Sequence, residues 1–129
     1  MMKILCDTHI YFWWVTGDAK LPLGARKALE DRANDVFVSA VVAWELATKN
    51  RLGKWPSARV VLDQMDETVE AKDLKPLPIT SAHATLAGLF PAPHQDPFDR
   101  MLAAQAEVEG MVLATVDARF REFRVRVLS

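Results

Sequence analysis

The sequence predicts an α/β fold in which a mainly parallel sheet carries helices on both faces. Three observations predict it. Short apolar runs at Lys3–Cys6, Val36–Val38 and Val112–Val116 have the length of buried strands, the longer segments between them repeat apolar residues at helical spacing, and prolines, glycines and capping residues punctuate the boundaries. Strands that alternate with helices form a parallel sheet, because each helix serves as the crossover connection.

Lys3–Cys6 is bounded by charge and suits a central strand. Asp7-Thr8 then opens a helix on which Ile10, Trp13 and Trp14 fall at i, i+3 and i+4, and which ends near Thr16-Gly17-Asp18. Pro22 suits a first helical position, with Ala25, Ala28 and Leu29 recurring up to Asn34. After the second strand, Ser39 can cap a helix that carries Val41, Trp44, Glu45, Thr48 and Leu52 on one side and closes at Gly53. Ala58 to Thr68 reads as one helix with Val61, Leu62 and Met65 as its stripe. Lys75–Ile79 is extended, because each proline pushes its predecessor out of helical space. Thr80 or Ser81 starts a helix through Leu89, residues 90–96 form a loop, and Pro97 opens a helix to Glu109 that Gly110 ends. Beyond the last core strand, Ala118 to Phe123 reads as a short helix or turn, and Val125–Leu128 alternates like an edge strand.

With 129 residues, the chain has the size of one domain, 1–129, with enough length to bury a real core. Half of its residues are hydrophobic and 26% are charged, the balance of a compact globular protein. A net charge of −1 gives no global attraction to nucleic acid, so a polyanion would need a local basic patch. Cys6 is the single cysteine, which excludes an intrachain disulfide and a thiolate zinc site, and fits a reducing cytoplasm. No apolar run approaches the ~18 residues of a membrane span, and Asp7 interrupts the amino terminus before a signal-peptide core develops. A cytoplasmic protein with no membrane partner is expected.

Four acids, Asp7, Glu45, Asp99 and Asp117, lie beside or inside apolar stretches. Asp7 and Asp117 follow strands, where ligands of parallel sheets collect, while Glu45 and Asp99 lie near the starts of helices that begin on the same edge. Two carboxylates about 4 Å apart repel by roughly 4 kcal/mol at an effective dielectric of 20. Four converging carboxylates therefore need a counterion.

Taken singly, Asp7 and Asp117 also read as helix caps, and Asp96-Pro97-Phe98-Asp99 as a capping box with Asp96 as the cap. Glu45 resists that explanation, since an unpaired buried carboxylate is costly, although Lys49 at i+4 offers a salt bridge. His9 and His94 have no pairing typical of metal ligands, and His94 suits loop ordering or a substrate contact. Trp55, between Lys54 and Pro56, can stack on a base. Lys49, Arg51 and Lys54 form a small basic group that a solvated helix end explains nearly as well. Together with Arg100 they are candidate contacts for a nucleic-acid backbone.

The blocks Asp7-Thr8-His9, Trp44-Glu45-Leu46, His94-Gln95-Asp96-Pro97-Phe98-Asp99-Arg100 and Thr115-Val116-Asp117 resemble, in that order, PIN-domain ribonucleases and specifically the VapC toxins of type II toxin–antitoxin systems. The resemblance spans essentially the whole chain. It implies a three-layer α/β/α sandwich, an acidic pocket for Mg2+ or Mn2+, and endonucleolytic cleavage of RNA. Carried over, Asp7 and Asp99 are the principal metal ligands, Glu45 and Asp117 complete the pocket, and Thr115 supports it by hydrogen bonding. Asp96 is assigned to capping first and to support of the site second. The resemblance further implies a homodimer, which the aromatics of the first helix would support, and a VapB-like antitoxin whose carboxyl-terminal segment covers the acids.

Hard carboxylate oxygens suit Mg2+, and metal-activated water attacking the phosphodiester would leave a 5′-phosphate and a 3′-hydroxyl. A phosphotransfer domain would need a second acid beside Asp7, and a nucleotide switch would need a glycine-rich phosphate loop; the chain has neither. The remaining alternative is a catalytically inactive PIN-like binding or scaffold module.

Overall fold

The computed structural model describes all residues from 1 to 129. Five parallel strands form one sheet in the order β3-β2-β1-β4-β5: β1 Lys3–Cys6, β2 Asp35–Ser39, β3 Lys75–Leu77, β4 Val112–Ala114 and β5 Val127–Leu128. Seven α-helices connect them: α1 Thr8–Thr16, α2 Leu23–Glu30, α3 Ala40–Arg51, α4 Ala58–Asp63, α5 Met65–Ala71, α6 Ser81–Leu89 and α7 Pro97–Glu109. A short 3-10 helix, Ala118–Glu122, precedes the last strand.

The period of two along the strands divides the core. Ile4, Cys6, Val36, Val38 and Ala114 face one layer, where Ile10, Tyr11, Val42, Leu46 and Val61 meet them. Leu5 and Leu113 face the other, against Val41, Phe98, Leu102, Ala106 and Phe120. Both faces of the sheet are covered, as the apolar, unalternating strand sequences require, and the three-layer α/β/α expectation holds.

Several boundaries move for identifiable reasons. Pro22 is extended at ψ 145° and stands just before α2 instead of being its first residue. The single helix expected over Ala58 to Thr68 is two, hinged at Gln64 (φ −97°, ψ 4°), a turn that brings Met65 and Val69 onto the same core as Val61. On α1 the fully buried side chains are Ile10 and Tyr11, while Phe12, Trp13 and Trp14 are half-buried against the core. Those aromatics are packed, not free, so they lend less to a homodimer than their spacing suggested. On α3, Val41 and Glu45 are buried but Trp44 and Leu52 are about half exposed. The predicted common face of that helix therefore splits.

Arg100, expected among the RNA contacts, is a structural residue. Its Nε donates to Ala87 O at 2.8 Å, Nη1 to His94 O at 2.8 Å and Ala92 O at 3.1 Å, and Nη2 to Phe90 O at 2.7 Å and Gly88 O at 3.4 Å. Its donors are spent on the carbonyls of the α6 end and the 90–96 loop, which has no regular secondary structure to satisfy them. This holds the loop against the start of α7 and fixes where His94 stands. Replacing the guanidinium leaves several carbonyls without a partner, and each hydrogen bond to a charged group contributes about 1.5–3 kcal/mol. Arg100→Met is expected to lose about 3 kcal/mol of stability in urea unfolding, whereas an RNA-contact role predicts unchanged stability.

Candidate active site

The order 3-2-1-4-5 reverses direction between β1 and β4, and the ligand crevice of a parallel sheet opens at the carboxyl ends of such a pair. Asp7 leaves β1 there, tied to β4 by its N–H donating to Ala114 O at 3.0 Å. Its Oδ1 accepts from Ile10 N at 2.8 Å, so it does cap α1. Glu45 enters from the second turn of α3, whose start Ser39 caps through Val41 N. Asp99 is the third residue of α7, and Asp96 caps that helix by accepting from Phe98 N and Asp99 N at 2.9 and 3.2 Å. The Asp99 carboxylate does not return to the cap; it meets His94 Nε2 at 2.7 Å.

Asp7 and Glu45 are 5% and 4% exposed, and such burial of carboxylates demands a compensating interaction. For Glu45 there are two. Thr8 Oγ1 donates to Oε1 at 2.5 Å, and the Lys49 ammonium forms a short ion pair with Oε2. Asp7 has no cationic partner. Burial pushes its carboxyl up to about 7, with the negative charges of Asp99 and Glu45 adding to the rise and hydrogen bonds from Thr115 and the Ile10 N–H opposing it. Asp99 is raised as well, chiefly by burial and then by Asp96 and Glu45, against the lowering bond from His94. Asp7, Glu45 and Asp99 therefore share one electrostatic site.

Asp117 stands at its rim. Arg119 holds its carboxyl below the usual range by hydrogen bonding, with Nη2 to Oδ2 at 2.7 Å and 3.8 Å from Asp99 Oδ2. Asp117 also caps the 3-10 helix through Arg119 N at 2.9 Å. Thr115 is buried, hydrogen-bonds Asp7 and accepts from Asp117 N at 3.0 Å. No three His, Cys, Asp or Glu side chains stand together in metal-ligating range, and Glu45, Asp99 and Asp117 are each held by a protein partner. The converging four-acid pocket is thus three neighbouring acids and one at the edge.

Two residues outside the predicted site set, Thr8 and Arg119, touch the acids directly, and each lies one or two residues beyond an acid. His94, expected to order its loop or contact substrate, is 8% exposed and pairs with Asp99. Around the site, His9 stacks on Trp55 at 4.7 Å and Trp44 meets Phe98 edge-on at 4.6 Å. The Lys49 ammonium sits 6.0 and 5.9 Å from the Trp55 and Phe98 ring centres. Arg51 and Lys54 are exposed near the far end of α3. A cavity of about 550 Å3 lies at the opposite edge of the sheet, between Trp14, Arg32, Asn34 and Lys72, remote from every one of these acids.

The donor chemistry fits a hard divalent cation: all candidate ligands are carboxylate oxygens, and the unpaired Asp7 beside two further acids is the charge such an ion relieves.

The PIN domain family model matches residues 4–125. The chain is 32% identical over 128 residues to Ribonuclease VapC22 of Mycobacterium tuberculosis, covering 96% of this chain and 94% of that one. Among solved structures, VapBC2 from Rickettsia felis, bound to a DNA fragment from their promoter, shares the fold at TM-score 0.72 and 18% identity over 98% of each chain. DNA-bound VapBC from Salmonella typhimurium matches at 0.72 and 18% over 99% of this chain and 98% of that chain. FitAcB from Neisseria gonorrhoeae matches at 0.68 and 19% over 98% and 96%. By the family model over residues 4–125 and the 32% identical relative, the chain belongs to the PIN-domain family and, within it, to the VapC type.

Proposed function

We propose that this protein is a metal-dependent endoribonuclease, the toxin of a type II toxin–antitoxin system. The observation that carries the reading is the buried, unpaired Asp7 facing Glu45 and Asp99 at the carboxyl edge of β1 and β4. Its relative at 32% identity is a ribonuclease by name, which supports RNA as the substrate.

In this reading Asp7, Asp99 and Glu45 hold Mg2+ or Mn2+, and Asp117 completes the pocket from the rim. The bound ion supplies Lewis acidity toward water and positive charge against the phosphate. The chain's own residues set the stage for it. Thr8 fixes the rotation of Glu45, His94 fixes Asp99, and Thr115 supports Asp7 on one side and the Asp117 backbone on the other. His94 is engaged by Asp99. The attack in this reading is by water, giving a 5′-phosphate and a 3′-hydroxyl. Arg51 and Lys54 remain exposed cations for the RNA backbone, and Trp55 offers a partly exposed ring for a base.

The same reading carries a VapB-like antitoxin, a homodimer and a cytoplasmic location. Solved VapBC structures of the same fold support the antitoxin; no helix is long and apolar enough to cross a membrane.

Asp7→Asn or Asp99→Asn is expected to lower metal-dependent RNA cleavage at least about a hundredfold, the equivalent of about 3 kcal/mol of transition-state stabilisation, with the fold retained by circular dichroism. Full activity of either variant rejects the assignment. Because the folded carboxyl of Asp7 titrates near 7 and the unfolded one near 3.8, the unfolded chain releases its proton first, and the metal-free fold loses stability as pH rises between those values. Metal-free Asp7→Asn should therefore melt above the native protein at pH 8, with the gap closing towards pH 4. Protons compete for the same oxygens, so divalent-ion affinity should weaken as pH falls through about 7. For assembly, sedimentation at micromolar concentration is expected to show a dimer; a lone monomer withdraws that part.

A further inference from the structure

Both oxygens of Glu45 are taken by the protein itself: Oε1 by the Thr8 hydroxyl and Oε2 by the Lys49 ammonium. The ion pair is built in. Lys49 lies one turn along α3 from Glu45, its side chain is 28% exposed against 5% for Glu45, and its ammonium rests near the rings of Trp55 and Phe98. Those rings stabilise a cation at this spot, and an i, i+4 Glu-to-Lys order favours the pair on the helix. An acid required for a metal is thus already neutralised from within.

Resting on the metal-binding reading above, we propose that Lys49 is an internal counter-ion that competes with the divalent cation for Glu45 and so sets the affinity of the site. Without the ion, Lys49 keeps a buried carboxylate from standing unpaired. With the ion, Glu45 exchanges one positive partner for another, and the ammonium is displaced toward the rim, where Trp55 and Phe98 still receive it. Asp7 has no such cationic partner, only hydrogen bonds from Ile10 N–H and Thr115. Lys49 is a positioning residue here, acting through Glu45.

The test is calorimetric titration of Mn2+ into the full-length protein, with Asp7→Asn marking binding at this pocket. An ammonium about 5 Å from a divalent ion lowers its affinity about tenfold even at the screening of bulk water. Lys49→Met, which keeps the apolar stem, should bind Mn2+ about tenfold more tightly. Its metal-free form should melt lower than the native protein, and it should gain more in melting temperature on adding Mn2+. Lys49→Arg, charged and able to grip both carboxylate oxygens, should bind Mn2+ more weakly than the native protein, and it decides the matter if the methionine variant fails to fold. Lys27→Met on α2 removes the same charge away from the pocket and should leave affinity unchanged. Equal or weaker Mn2+ binding by Lys49→Met, or equal or tighter binding by Lys49→Arg, overturns the role of Lys49 and leaves the metal site standing. Native protein that binds no Mn2+ overturns the metal-binding reading, and this inference with it.

Discussion

Buried negative charge is what the carboxyl edge of this sheet is organised around. Asp7, Glu45 and Asp99 come from three different elements into a space where burial, with the charges of Asp99 and Glu45 adding to it, pushes the Asp7 carboxyl up to about 7. In an interior, such a group either neutralises or finds a partner. The structure meets the demand with small fixed devices: Lys49 and Thr8 on Glu45, His94 on Asp99, Arg119 on Asp117. Asp7 alone has only hydrogen bonds, and that residual imbalance is what the proposed cation would relieve.

The surrounding fold is best understood as the means of holding those acids in place. Parallel pairing of β1 with β4 fixes Asp7 against the Ala114 carbonyl and brings Thr115 beside it. The Asp96 cap starts α7 so that Asp99 lies in its first turn, and Arg100, one residue on, gathers the carbonyls of the loop that delivers His94. Neighbouring residues of a single segment therefore serve helix initiation, the pocket and the loop. That triple use explains why Asp96-Pro97-Phe98-Asp99-Arg100 reads so distinctively.

Much of this was legible in the residues. Strand runs with apolar character on both faces announced the covered parallel sheet, and Ser39, Pro97 and Gly110 marked helix ends through chemistry that is purely local. The acids were legible because a carboxylate within an apolar stretch needs a reason. What stayed hidden depends on side-chain direction. Arg100 looked like a candidate RNA contact, yet its partners are carbonyls of the α6 end and the following loop, up to 13 residues away in sequence. Thr8 and Arg119 carried no signal of their own until their acids were placed, and Trp44 shares the spacing of Glu45 while turning toward solvent. The Gln64 break was equally invisible, since no proline or glycine marks it.

The central claim is that these acids serve water-driven, metal-dependent hydrolysis of RNA, and the termini of the products test it most directly. RNA cut by the purified protein with Mg2+ or Mn2+ present, and not with a chelator, should carry a 5′-phosphate that ligates to an adaptor without prior kinase treatment, and a free 3′-hydroxyl. Fragments with 2′,3′-cyclic phosphate and 5′-hydroxyl ends, formed whether or not the chelator is present, would contradict the account.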